Sequence, residues 1–189
     1  MKIILASNNE NKLREIREML FPYGFEVISQ SEAGVEGEAE ENGKTFAENA
    51  YIKAEMAYRL TGLPVIADDS GLEVDALNGA PGIYSARYAP KGHGRKRVLE
   101  EMKGVPDEKR GANFTCCICY IDEKGEARYF EGKCFGKIGY EIRGTNGFGF
   151  DSIFMYGDKT FAEISSEEKN RVSHRAIALR KLEEYFRKY

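Results

Sequence analysis

The segment that most constrains this chain is Val65-Ile66-Ala67-Asp68-Asp69-Ser70-Gly71-Leu72. An apolar, strand-forming run ends in two adjacent carboxylates, and the Ser-Gly pair after them reads as a turn. Two like charges at the mouth of a buried strand repel, and burying them costs on the order of several kcal/mol unless cations or hydrogen bonds compensate. The compensations on offer are nearby lysines and a divalent metal. A hard cation such as Mg²⁺ is typically held by one or two carboxylates plus substrate phosphates. The segment therefore predicts either a metal-assisted phosphate site or a solvated acidic turn.

Composition narrows the class. A length of 189 residues fits one domain, or two small lobes around a cleft, and suffices to bury a core. With 42% hydrophobic and 31% charged residues the chain is globular rather than disordered. A net charge of -3 gives no global pull toward nucleic acid or anionic membrane, so any phosphate site must be a local basic cluster. No apolar run approaches the ~20 residues of a membrane span. The start Met1-Lys2-Ile3-Ile4-Leu5-Ala6 turns polar at Ser7, too early for a signal peptide, so the cytoplasm is the expected location. Cys116, Cys117, Cys119 and Cys134 lack zinc-ligand spacing and read as small buried hydrophobes.

Along the chain, Lys2 to Ala6 reads as a strand and Lys12 to Leu20 as a helix with Leu13, Ile16 and Leu20 on one face, stopped by Pro22 and Gly24. Phe25 to Ser29 is a second strand, and Glu32 to Gly43 an acidic, solvated loop. Thr45 and Glu48 form a capping box that starts a helix from Phe46 to about Leu60. Leu63 to Ala67 is the next strand, residues 78–94 a loop, and Lys96 to Lys103 a basic amphipathic helix. Ala112 to Ile121 and Ala127 to Ile138 flank Asp122-Glu123-Lys124-Gly125 as an antiparallel hairpin. Ser165 and Glu168 cap one last helix running toward Phe186, with Val172, Ala176, Leu179 and Leu182 on one face. Helices alternating with strands, plus one hairpin, predict an α/β fold around a mixed sheet.

Several segments have the residue types of a nucleotide site. In Ser7-Asn8-Asn9-Glu10-Asn11-Lys12 a strand gives way to a helix start, whose backbone N–H groups and positive dipole end attract anions. Ser7 and Asn9 can hydrogen-bond phosphate oxygens and Lys12 adds charge; plain helix capping is the alternative. Lys53 lies four residues after Asn49 on one helix face and could reach the same phosphates, or be solvated. Gly144-Thr145-Asn146-Gly147-Phe148-Gly149-Phe150-Asp151 interleaves glycines with aromatics, which suits stacking on a base or a packed sheet-edge loop. Lys169, Ser173, His174 and Arg175 supply donors for base carbonyls, or serve structure alone.

Taken together these segments resemble the inosine triphosphate pyrophosphatase family, of the bacterial type acting on dITP, ITP and XTP. The matching stretches, in order, are Ser7 to Lys12, Glu40-Glu41-Asn42-Gly43-Lys44-Thr45-Phe46-Ala47-Glu48-Asn49-Ala50, Ala67 to Leu72, Gly79-Ala80-Pro81-Gly82-Ile83-Tyr84-Ser85-Ala86-Arg87-Tyr88, Phe148 to Asp151, and Ser173-His174-Arg175. The resemblance implies one domain over residues 1–189: an elongated mixed β-sheet flanked by helices, with two lobes and an active-site cleft between them. It implies hydrolysis of deaminated purine nucleoside triphosphates to the monophosphate and pyrophosphate, with Mg²⁺ (or Mn²⁺) as cofactor and a homodimer as assembly. By position, Asp69 is then the general base with Asp68 and Lys53 as catalytic partners, and Glu41 with Asp69 holds the metal. Ser7, Asn8, Asn9, Glu10, Asn11, Lys12 and Ser70 would line the phosphates; Phe148, Gly149, Phe150, Asp151, Lys169, His174 and Arg175 would hold the base. Three other readings stand beside this one: a pyrophosphatase for modified pyrimidines or methylated bases, a non-catalytic nucleotide sensor, and a structural or interaction protein, for which only the basic stretch Arg95-Lys96-Arg97 speaks, itself more simply a solvated helix face.

Overall fold

A computed structural model describes residues 2–188. The element order is β1 (Lys2–Leu5), α1 (Glu10–Leu20), β2 (Glu26–Ser29), α2 (Phe46–Thr61), β3 (Val65–Val74), α3 (Gly94–Glu101), β4 (Gly111–Ile121), β5 (Ala127–Ile138), β6 (Phe154–Tyr156), β7 (Lys159–Thr160), α4 (Ser166–Val172) and α5 (His174–Lys188). The strands form one seven-stranded sheet in the order β2-β1-β3-β4-β5-β6-β7. It is mixed: β1 pairs in parallel with β2 and β3, while β6 pairs antiparallel with β5 and β7. The expected α/β class with a mixed sheet flanked by helices is therefore what forms.

Two compact units are interleaved in the chain. The first takes in the chain through Asp69, then Cys116–Gly132 and the stretch from Arg175 onward; the second takes in Ser70–Thr115 and Lys133–His174. In the first unit, parallel strands must be apolar on both faces because helices cover both. Period-two alternation delivers this. Ile3, Leu5, Ile66, Cys116 and Ile118 pack with Ile16 and Leu20 of α1 and Ala178, Leu179 and Leu182 of α5. Ile4, Ala6, Val65, Ala67, Cys119 and Ile121 pack with Ala50, Ala54 and Ala57 of α2. The fully buried apolar side chains that α2 presents there are alanines, with Tyr51, Met56 and Tyr58 packed at the margin, so its backbone comes close to the sheet. The second unit has its own core, in which Leu72, Val74, Phe114, Ile138, Phe154 and Phe161 meet. Phe114 lies 4.6 Å from Phe154 and 5.8 Å from Phe161, ring centre to ring centre.

Three expectations need correction. The Ser70-Gly71 pair is not a turn: β3 runs unbroken from Val65 to Val74 with both carboxylates inside it. The reason is that Leu72 and Val74 continue the buried pattern into the second core. The last helix is two helices: Ser173 is extended (φ -68°, ψ 158°) and separates α4 from α5, although its N–H still donates to Lys169 O. The acidic loop is pinned rather than simply solvated, since Val35 is buried against α2 and Gln30 Nε2 donates to Gly37 O at 2.7 Å. The short β6–β7 hairpin had no counterpart in the sequence reading. The four cysteines are buried and free, as expected.

Close approach of α2 to the sheet is testable. Ala54→Leu keeps helix propensity but inserts bulk at a fully buried position. Urea denaturation should show a loss of about 1–3 kcal/mol; an unchanged midpoint would mean the interface has slack.

Candidate active site

The alternation that builds the first core also separates the two carboxylates. Asp68 follows Ile66 in register and faces α1 and α5; Asp69 follows Val65 and Ala67 and faces α2. Each is buried and each meets its own cations. Asp68 Oδ2 lies 3.1 Å from Lys12 Nζ and 3.1 Å from an Arg175 amine, and the Cys116 thiol is 4.0 Å away. Arg175 also pairs with Glu15 of α1. Burial works against the Arg175 charge, but Asp68 and Glu15 outweigh it and hold the guanidinium more firmly protonated than usual. Breaking such a buried set by removing one partner leaves an uncompensated charge. Arg175→Ala should therefore cost about 3–5 kcal/mol in chemical denaturation; a loss below about 1 kcal/mol, the level of an exposed pair, would contradict the arrangement.

On the other face, Lys53 Nζ sits 3.3 Å from Asp69 Oδ1, 3.5 Å from Glu41 Oε2 and 2.9 Å from the carbonyl oxygen of Asp68. Burial lowers the affinity of Lys53 for its proton, yet Asp69, Asp68 and Glu41 together raise its pKa. Asp69 is also raised, because burial outweighs the attraction of Lys53 and Lys12 and is joined by repulsion from Glu41 and Asp68. The sign follows: what Asp69 contributes to stability is greatest below the ordinary aspartate value of 3.8 and is lost as pH rises through the higher folded-state value. A group that is a cost to the fold at neutral pH is a common mark of a working site. Glu41 is half-buried while Glu40 is exposed, so Glu41 is the carboxylate that joins Asp69.

The Ser7 to Lys12 segment caps α1. Asn9 Oδ1 accepts from the N–H groups of Asn11 and Lys12 at 3.1 and 3.2 Å, and Ser7 Oγ accepts from Asn9 N at 3.1 Å. Asn8 Oδ1 accepts from Ser31 Oγ at 2.8 Å. The capping reading is therefore realised, with Asn8, Asn9 and Glu10 exposed and Ser7, Asn11 and Lys12 half-buried. Ser70 follows Asp69 on β3 and is half-buried.

In the second unit, Asp151 Oδ2 accepts from Lys169 Nζ at 2.7 Å and from Phe148 N at 2.9 Å, and Lys169 Nζ lies 4.9 Å above the Phe148 ring. The loop needs glycine at 147: φ is +68°, and a Cβ would lie 2.0 Å from Asp151 Oδ2. Phe148, Gly149, Asp151 and Lys169 are thus brought together. Phe150 is not at their side as a stacking platform; it is buried in the second core, its ring edge 3.1 Å from where a Cβ on Gly94 would be. His174 stacks on Phe114 at 4.7 Å and 14°. Arg175, expected beside His174 as a base reader, pairs with Asp68 and Glu15; both residues open α5, where successive side chains point about 100° apart, so these neighbours meet different partners.

Glu15 escaped the sequence reading. Its signal was an acid at a core-facing position, three residues after Lys12 and next to Ile16 on a helix whose apolar stripe it interrupts.

Among the described residues no group of three or more His, Cys, Asp or Glu side chains is placed to hold a metal. The two-carboxylate pattern suits a hard cation that takes its remaining ligands from phosphate and water. Asp69 Oδ2 fits it: this atom is buried and has no hydrogen-bond partner among the described residues.

A family model, the Ham1 family, matches residues 3–185, which spans the site from Ser7 to Arg175. The chain belongs to the Ham1 family. A relative from Haemophilus ducreyi named dITP/XTP pyrophosphatase is 50% identical over 186 residues, 94% of each chain. A relative of the same name from Clostridium perfringens is 48% identical over 196 residues, 97% of this chain and 96% of the relative. The solved structure of a HAM1 protein from Coxiella burnetii superimposes with a TM-score of 0.89 at 42% identity over all of both chains. In this Ham1-family chain, burial raises the Cys117 and Cys134 thiols to about 11. A thiol reagent at neutral pH should therefore label the folded protein slowly and the unfolded protein fast; rapid labelling of the folded form would contradict the burial.

Proposed function

We propose that this protein is a dITP/XTP pyrophosphatase: it hydrolyses dITP, ITP and XTP to the nucleoside monophosphate and pyrophosphate and so clears deaminated purines from the nucleotide pool. The observation that carries this is Asp69, a buried carboxylate of raised pKa whose Oδ2 has no hydrogen-bond partner among the described residues and whose Oδ1 shares Lys53 with Glu41. The names of the close relatives point to the same reaction.

In this reading water attacks the α-phosphorus, the new P–O bond forms, and the bond from the α-phosphorus to the bridging oxygen breaks, leaving pyrophosphate. Asp69 Oδ2 takes the water's proton. Lys53 and Lys12 offset the charge that develops on the leaving group. Glu41 and Asp69 would hold Mg²⁺, which when bound supplies neutralisation of phosphate charge and a more acidic water. Asp68 is the anchor for Lys12 and Arg175. Ser7, Asn9 and Ser70 line the phosphates. Phe148 offers its half-buried ring to the purine, and Lys169 and His174 read its edge. A site built to hydrogen-bond the 6-carbonyl rejects an amine there, because its own polar groups would be left unpaired. We take the whole chain as one catalytic domain working in the cytoplasm as a homodimer, which light scattering on the eluting protein tests.

Two measurements test the chemistry. Pyrophosphate release should occur from dITP, ITP and XTP with Mg²⁺, stop with EDTA, and be weak with ATP; no release from any of them would overturn the reading. Carboxyl NMR of the metal-free protein should show Asp69 titrating above 3.8, with added Mg²⁺ moving it down. Below that value Asp69 keeps its proton and cannot act as base, so the rate should rise with pH through it. An Asp69 that titrates at or below the ordinary value would remove the basis for its role.

A further inference from the structure

Asn49 lies on α2, one turn before Lys53, and is fully buried. Its Oδ1 accepts from Gly43 N at 2.9 Å, while its Nδ2 is buried with no hydrogen-bond partner among the described residues. A buried donor without an acceptor is a cost to the fold, so the amide is there for what its oxygen does. Next to it, Glu48 Oε2 accepts from Lys44 N at 2.6 Å. The two side chains tie the 43–44 backbone onto the first turn of α2. Glycine is what the fit requires: a Cβ on Gly43 would lie 2.7 Å from Asn49 Oδ1 and 2.7 Å from Glu48 Cβ.

Two residues before the tied peptide stands Glu41, with Oε2 3.5 Å from Lys53 Nζ. Its neighbours Glu40, Asn42 and Lys44 are exposed, and in the turn between them Asn42 N donates to Glu40 O at 2.9 Å. The tie at Gly43 is therefore what fixes where Glu41 can reach.

We infer that Asn49 is a positioning residue for the Glu41–Asp69 pair, acting through the Gly43 backbone, and that it sets how tightly this pair takes a divalent cation. The inference rests on the reading of Glu41 and Asp69 as metal-site carboxylates. Contacts of this outer kind typically govern metal affinity by roughly 10–100-fold.

The test uses the full chain with Asn49→Ala, Glu48→Ala and Glu41→Gln, and two readouts: amide hydrogen exchange without metal, and Mn²⁺ binding followed by the electron paramagnetic resonance of free Mn²⁺. Asn49→Ala should speed exchange at Gly43 while amides of β1 and β3 keep their protection, and should weaken Mn²⁺ binding roughly 10–100-fold. In turnover, it should raise the metal concentration needed for half-maximal rate and leave KM for dITP at saturating metal unchanged, which a merely structural residue would not do. Glu48→Ala, at an exposed side chain, should weaken Mn²⁺ binding in the same direction by a smaller factor. If Glu41→Gln weakens Mn²⁺ binding and Asn49→Ala does not, the inference is overturned and the metal reading stands. If Glu41→Gln binds Mn²⁺ like the parent protein, the metal reading fails and takes the inference with it. If Asn49→Ala does not fold, Glu48→Ala decides: faster exchange at Lys44 with unchanged Mn²⁺ affinity overturns the inference.

Discussion

The structure depends on a simple constraint: two carboxylates adjacent in a strand cannot share a face. Period two sends Asp68 to the side of α1 and α5 and Asp69 to the side of α2. Two charges that would repel across a turn are thereby each given their own set of cations. The sheet can run straight through them because Lys12 and Arg175 meet one and Lys53 meets the other. Everything chemically specific about the first unit follows from which helix carries which cation.

The two faces then take different work. Asp68 is saturated on Oδ2 by a lysine, a guanidinium and a thiol, and Arg175 carries the network on to Glu15. Such a buried set specifies how α1 and α5 sit on β3 more than it adds net stability. Asp69 is held where burial outweighs the attraction of Lys53 and Lys12 and is joined by repulsion from Glu41 and Asp68, so its ionised form is kept at a cost to the fold, and its Oδ2 is buried with no hydrogen-bond partner among the described residues. In the function proposed above, that cost is what a bound cation would relieve.

The sequence was most legible where one physical signal dominates. The 122–125 turn between two strand-like runs, the Thr45 cap and the buried cysteines all formed as read. Legibility failed where tertiary contacts override local signals. Ser70-Gly71 has turn chemistry, but the cations on both faces and the burial of Leu72 and Val74 keep it in a strand. Ser173 has no breaker chemistry, yet its extended backbone ends α4, and α5 starts afresh at His174. The ordered motifs identified the family and the carboxylate pair, and they grouped Arg175 with the base-holding residues. Its charge partner Glu15 is 160 residues away along the chain, and no local pattern announces that pairing.

The most direct test of the division of labour compares Asp68→Asn with Asp69→Asn, reading denaturant stability and turnover of dITP for both. Asp68→Asn strips the charge that holds buried Arg175 and should cost about 3 kcal/mol. Asp69→Asn should keep the stability of the parent protein at neutral pH while turnover falls roughly 10²–10⁴-fold. Equal losses of stability in both variants, or an Asp69→Asn protein that still turns over dITP, would contradict the account.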